Sequence, residues 1–153
     1  MILKRAKVLS TIIYLSVASI IFADNTVDIT NKESQNDLIR INSLLDSCWM
    51  YRTSNPSLSL EFGENALRLI DEKELVKLKP KTLNYLGVVY RKLGNLEKSY
   101  NYFHNAFELA TVLDDSLQIA YTYNNLTDYY IKKASYSIAL ENVLLSYRKQ
   151  QNL

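Results

Sequence analysis

Large apolar residues recur along this chain about one helical turn apart, with small residues set between them. The pattern is clearest from Leu83 to Phe107 (LNYLGVVYRKLGNLEKSYNYFHNAF). Leu86 and Tyr90, then Phe103 and Phe107, lie four residues apart, while Gly87, Ser99 and Ala106 are small. Small residues let two helices approach closely, and the large ones fill the space around that contact. Polar Arg91, Lys92, Glu97 and Lys98 surround Gly94, so a short turn with hydrated side chains is expected there. The whole chain has only three glycines and two prolines, which favours helices with short connections over strands and β-turns.

Laid over itself at an offset of 40 residues, the chain repeats the arrangement. Tyr90 falls on Tyr130 and Met50, Gly87 on Thr127 and Ser47, and Leu86 on Leu126, with Asp46 as the misfit. Gly94 falls on Ala134 and Ser54, Ser99 on Ala139 and Ser59, and Phe103 on Val143 and Gly63. Ala106 falls on Ser146 and Ala66, and Phe107 on Tyr147 and Leu67. Size class survives at almost every position. The spacing predicts three helix pairs: 36–52 with 56–71, 77–92 with 96–112, and 115–132 with 136–150. Asn55 is expected to cap a helix whose first residue is Pro56, where a missing N–H does no harm. Pro80 marks an early helical turn, and Asp114 or Asp115 caps the fifth helix. The expected fold is all-α, an α-solenoid of three antiparallel helix pairs within residues 36–153.

Leu86-Gly87-Val88-Val89-Tyr90, followed by Gly94, Ser99, Phe103 and Ala106, resembles the tetratricopeptide unit. In that unit Leu-Gly-x-x-Tyr on a first helix packs against small and aromatic residues on a second. The period of 40 exceeds the unit's usual length of about 34 residues, implying longer helices or longer links. The chain is similar to the extended class of bacterial regulators, in which Asn-Asn-Leu and a later tyrosine recur, here Asn124-Asn125-Leu126 and Tyr129-Tyr130. The likeness runs over roughly residues 38–150.

This resemblance implies a right-handed superhelix whose first helices line a concave groove for an extended peptide or a partner helix. It places Lys81, Asn84, Val88, Arg91 and Lys92 in the groove from the second pair. From the third pair it adds Tyr121, Asn124, Asn125, Asp128 and Lys132, and from the first Leu44, Cys48, Tyr51 and Arg52. Lys81, Arg91, Arg52 and Lys132 would offer charge-assisted bonds to a carboxylate, and Asn84, Asn124 and Asn125 would pair with a peptide backbone. The family's best-known groove clamps a terminal carboxylate with Lys, Asn and Arg. Only Asn125 occupies a matching position, so that ligand is not expected.

The N-terminus changes the address and the charge. A basic start (Lys4, Arg5, Lys7) precedes an apolar run from Val8 to Phe22, and polarity rises at Asp24-Asn25. This is the pattern of a secretory signal over residues 1–23, with cleavage after Ala23, or after Ala18 as the alternative. Uncleaved, it would anchor the chain in the membrane with the remainder outside the cytoplasm, in the periplasm or secreted. Residues 24–35 (DNTVDITNKESQ) are polar and aperiodic and are expected to form a flexible spacer. With the three leader cations set aside, 15 of the 18 basic residues remain against 16 acidic ones, a net of about −1. That balance gives no drive toward nucleic acid.

Chemistry finds little to stand on. The single cysteine, Cys48, excludes an intramolecular disulfide and is expected to be a small buried residue. The single histidine, His104, falls on Glu64 and Leu144 in the repeat, which suits a surface position. One His and one Cys do not make a usual zinc site. Asp71-Glu72 and Asp114-Asp115 stand at equivalent places between units and suit the capping of helix N-termini better than acid–base work. No glycine-rich phosphate loop is present. The expectation is a protein without catalytic residues, metal or cofactor that binds a protein or peptide. An alternative is the sensor portion of a membrane-linked regulator without its output part. Leu140, Val143, Leu144 and Tyr147 leave the last helix apolar, so self-association through it is a third expectation.

Overall fold

The computed structural model describes residues 32–151. The chain divides into two compact units, residues 1–39 and 40–153. Of the first unit, residues 32–39 are described, and they are helical. Residues 32–35, expected in the flexible spacer, are therefore helix; the leader and the rest of the spacer lie outside the described residues.

The second unit is a run of helices: α1 (residues 40–51), α2 (Pro56–Glu72), α3 (Lys79–Lys92), α4 (Leu96–Val112), α5 (Ser116–Lys132) and α6 (Tyr136–Gln151). A short 3₁₀ turn, Val76–Leu78, leads into α3. Among the described residues there is no strand. The helices pack as an α-solenoid. Each contacts its neighbour in sequence from α2 to α6, and α3 also touches α5 across the intervening helix.

Two of the caps are those expected, at Asn55 and Asp115, and Asn95 supplies a third that was not anticipated. Asn55 accepts the backbone N–H of Leu58 at 3.2 Å with Pro56 opening α2. Asn95 accepts from Lys98 at 3.0 Å, and Asp115, rather than Asp114, accepts from Gln118 at 3.0 Å. Asp114 has a different task. Glu74, Gly94, Asp114 and Ala134 stand 20 residues apart and share positive φ (55°, 80°, 53° and 56°). At each, the N–H reaches back three residues and the next N–H reaches back five, as in Gly94 to Arg91 (3.2 Å) and Asn95 to Tyr90 (2.9 Å). This is the Schellman ending, which satisfies the last carbonyls of the helix.

The period of 40 is thus two near-identical halves of 20, each one helix and one short turn. Long helices, not long links, account for it. Ser54, aligned with Gly94, does not adopt the left-handed conformation; there Asn55 N–H returns to Tyr51 O at 2.9 Å. A Cβ in the left-handed region costs about 1 kcal/mol. Ala134→Gly is therefore expected to raise the urea midpoint, by a stability gain of roughly 0.5–1 kcal/mol. An unchanged or lower midpoint would contradict the turn geometry.

Two packing clusters follow from the size pattern. Ile41 and Leu45 on α1 pack with Ala66, Leu69 and Ile70 on α2, and Leu44, Leu75, Leu78 and Tyr85 lie against them. Next along, Phe103 on α4 is fully buried against Gly87 on α3, where an added Cβ would stand 2.4 Å from the ring. Cys48 is buried, with its thiol pushed up by burial, and Ser59 Oγ donates to its carbonyl. Tyr90 is buried, stacks on Tyr102 at 5.1 Å and donates its hydroxyl to Glu64 on α2 at 3.3 Å. Burial first, then Tyr102 and Glu64, push its phenol up to about 12, so it remains a donor. Its repeat partners are less enclosed. Tyr130 is half-buried and Met50 is 63% exposed.

Candidate functional site: a groove along the first helices

The side of the solenoid formed by α1, α3 and α5 is built around Asn84. This side chain is buried. Its Nδ2 donates to Gln118 Oε1 (3.2 Å) and to Gln118 O (3.4 Å). Its Oδ1 accepts from Thr122 Oγ1 (3.0 Å) and Asn125 Nδ2 (3.3 Å). One amide thereby fixes three residues of the neighbouring unit's first helix. A turn further on, Arg91 donates to Asn125 O (3.3 Å) and pairs with Asp128 at 2.8 Å. Shielding by low-dielectric surroundings strengthens such bonds, and a buried amide left unpaired would be costly.

Beside this ladder, rings and cations form a stack. Trp49 and Tyr85 lie 4.7 Å apart, near parallel at 28°. The Arg52 guanidinium sits 3.8 Å from the Trp49 ring and also donates to Trp49 O. The Lys81 ammonium lies 5.5 Å from the Tyr85 ring. Cation–π contact holds both charges in place without neutralising either. Asp46 and Asp128 are the acids near this region, through their influence on Tyr85 and their pairing with Arg91.

Ladder and stack enclose a cavity of about 540 Å³, lined by Trp49, Lys81, Asn84, Tyr85, Leu117, Gln118, Tyr121, Asn124 and Asn125. Its one lining charge is Lys81. No hydrogen bond within the protein involves the Lys81 ammonium, the Asn124 amide or the Tyr121 hydroxyl among the described residues. The wall therefore offers a cation, an amide and a half-exposed aromatic ring to whatever enters.

The residues expected in the groove divide into three groups. Lys81, Asn84, Tyr121, Asn124 and Asn125 come together at the cavity. Arg91 and Asp128 are paired with each other, and Arg52 is stacked on Trp49, so all three serve first to fix the wall. Lys92 and Lys132 are exposed but do not line the cavity, while Val88 and Cys48 are buried in the packing beneath. Leu44 packs into the α1–α2 core, and Tyr51 stacks on Phe62 at 5.9 Å.

Four lining residues were not anticipated. Leu117 and Gln118 precede Tyr121 by one turn, and Tyr85 follows Lys81 by one turn, so extending the helical spacing would have found them. Trp49 was hidden because the repeat aligns it with Val89, which is buried.

Among the described residues no cluster of His, Cys, Asp or Glu could hold a metal, and no helix is long and apolar enough to cross a membrane. His104 is a surface residue 3.7 Å from Glu108. Asp71 and Glu72, expected at a helix N-terminus, are instead the last residues of α2, where cationic partners offset their charge: Asp71 pairs with Lys79 at 2.7 Å and Glu72 with Arg68 at 2.8 Å.

With this geometry in place, comparison with known families is decisive. A family model for the tetratricopeptide repeat matches residues 79–151. Helices α3 to α6 are tetratricopeptide repeats. No curated protein and no solved structure matches the chain. Tetratricopeptide repeats mediate protein–protein interaction, and the two repeats here carry most of the cavity lining, with Trp49 added from α1. The match begins after the first pair, in line with Asp46 standing where these repeats have Leu86 and Leu126.

Proposed function

We propose that this protein is an exported, non-catalytic interaction module that holds a segment of a partner protein in the α1–α3–α5 groove. The observation that carries the reading is the cavity itself. Its uncommitted groups are the Lys81 ammonium, the Asn124 amide and the Tyr121 ring, with no carboxylate in the wall. Amides pair with an extended peptide backbone, a cation favours an acidic side chain, and aromatic surface adds apolar contact. Export rests on the basic-then-apolar start of the chain.

One experiment joins the two parts. A photo-crosslinking amino acid placed at position 121 in the producing cell should capture a partner outside the cytoplasm. Titrated against that partner, Lys81→Glu should weaken binding by roughly tenfold or more, the effect of reversing a charge at a contact. Undiminished affinity would contradict the groove, and capture confined to the cytoplasm would contradict export.

A further inference from the structure

Helix α6 carries an apolar stripe on a face that no described residue covers. Tyr136, Leu140, Val143, Leu144 and Tyr147 are each 45–67% exposed. Successive spacings of four, three, one and three place them on one side of α6, beside the buried Ala139, Asn142 and Ser146. The repeat says what kind of surface this is. Tyr100 and Phe107 on α4 stand 40 residues before Leu140 and Tyr147, and α5 covers them through Tyr129 (5.3 Å) and Tyr123 (5.3 Å). The stripe is thus shaped to receive another apolar helix.

Among the described residues, two helices of a second copy are candidates to cover it. One is α1. In α3 the residues turned toward the preceding pair include Leu86, against Gly63, and Tyr90, bonded to Glu64, both buried. Their counterparts on α1 are Asp46 and Met50, both exposed. Docking α1 on the stripe would press an aspartate carboxylate onto leucine and tyrosine, at a desolvation cost with no partner to offset it. The other helix is α6 itself. Glu141 and Arg148 are both exposed, seven residues apart on one flank of the stripe. In an antiparallel two-fold pair, equal flanks meet, so each Glu141 faces the Arg148 of the other copy when Val143 lies opposite the other copy's Tyr147. Head-to-tail stacking lacks this complementarity.

We infer that two copies of this chain associate through α6, antiparallel about a two-fold axis, with the stripe as the core and two Glu141–Arg148 pairs flanking it. The surface is separate from the groove on α1, α3 and α5, so association and partner binding are distinguishable.

Sedimentation velocity on the protein as purified from the expressing cell, across a hundredfold concentration range, tests this. The wild type should pass from monomer to dimer and stop there. Leu144→Glu, at a half-exposed position that leaves the fold intact by circular dichroism, should remain monomeric. Glu141→Arg should weaken the dimer at least tenfold, and adding Arg148→Glu should restore it. A strictly monomeric wild type, open-ended growth, a dimer indifferent to Leu144→Glu, or no rescue by the charge swap would each overturn the proposal.

Discussion

Phe103→Ala should lower the unfolding free energy by about 3–5 kcal/mol, the range for removing a fully enclosed aromatic ring. The ring is 0% exposed and lies on Gly87, which has no side chain with which to follow it inward. Leu86, beside Gly87 in the chain, is itself fully buried and packed against Gly63. The vacated volume would therefore persist instead of closing, and a persistent void is what raises the cost. Urea denaturation followed by circular dichroism measures it. Phe103→Leu should recover about half of the loss, because it refills part of the space. A change below about 1 kcal/mol for the alanine variant would mean that α3 and α4 do not meet at this contact.

Asn84→Leu should cost about 2–4 kcal/mol although the two side chains share a branched shape and the same number of heavy atoms. Leucine can neither donate to Gln118 Oε1 nor accept from Asn125 Nδ2, and both would lose the partner they have in the ladder. Thr122 keeps its second acceptor, Gln118 O at 2.8 Å, so the damage falls on the two amides. Those amides line the cavity, and the same substitution should loosen partner binding as well as the fold. Asn84→Asp, which retains the acceptor facing Thr122 and Asn125, should lie between wild type and the leucine variant. A leucine variant as stable as wild type would show that the ladder does not tie α3 to α5.

Much of this architecture could be read before any coordinates, and the reason is physical. Small residues at 87, 99 and 106 and large ones at 86, 90, 103 and 107 are demanded by close helix contact, so the contact leaves its mark on composition at a fixed period. Two helix starts were legible as well, since Asn55 and Asp115 each supply a side-chain acceptor, whereas the equivalent role of Asn95 was missed. The left-handed turns were legible only at Gly94 and Ala134. At Glu74 and Asp114 the conformation is imposed by the Schellman bonds on residues that do not announce it.

The groove was legible by helix face but not by role. The resemblance to tetratricopeptide units put Lys81, Asn84, Tyr121, Asn124 and Asn125 in one groove, and these five line the cavity. That resemblance could not foretell that Arg91 and Asp128 neutralise each other, because that pair spans two units. Nor could it place Trp49, whose counterpart Val89 lies inside the packing.

Trp49 is the only tryptophan in the chain and forms part of the cavity wall, so its emission reports on the groove alone. Titration of the captured partner segment should change that emission saturably, with the dissociation constant found by calorimetry, and Lys81→Glu should shift both together. Calorimetric binding that leaves Trp49 emission untouched would place the partner elsewhere on the solenoid and contradict the account.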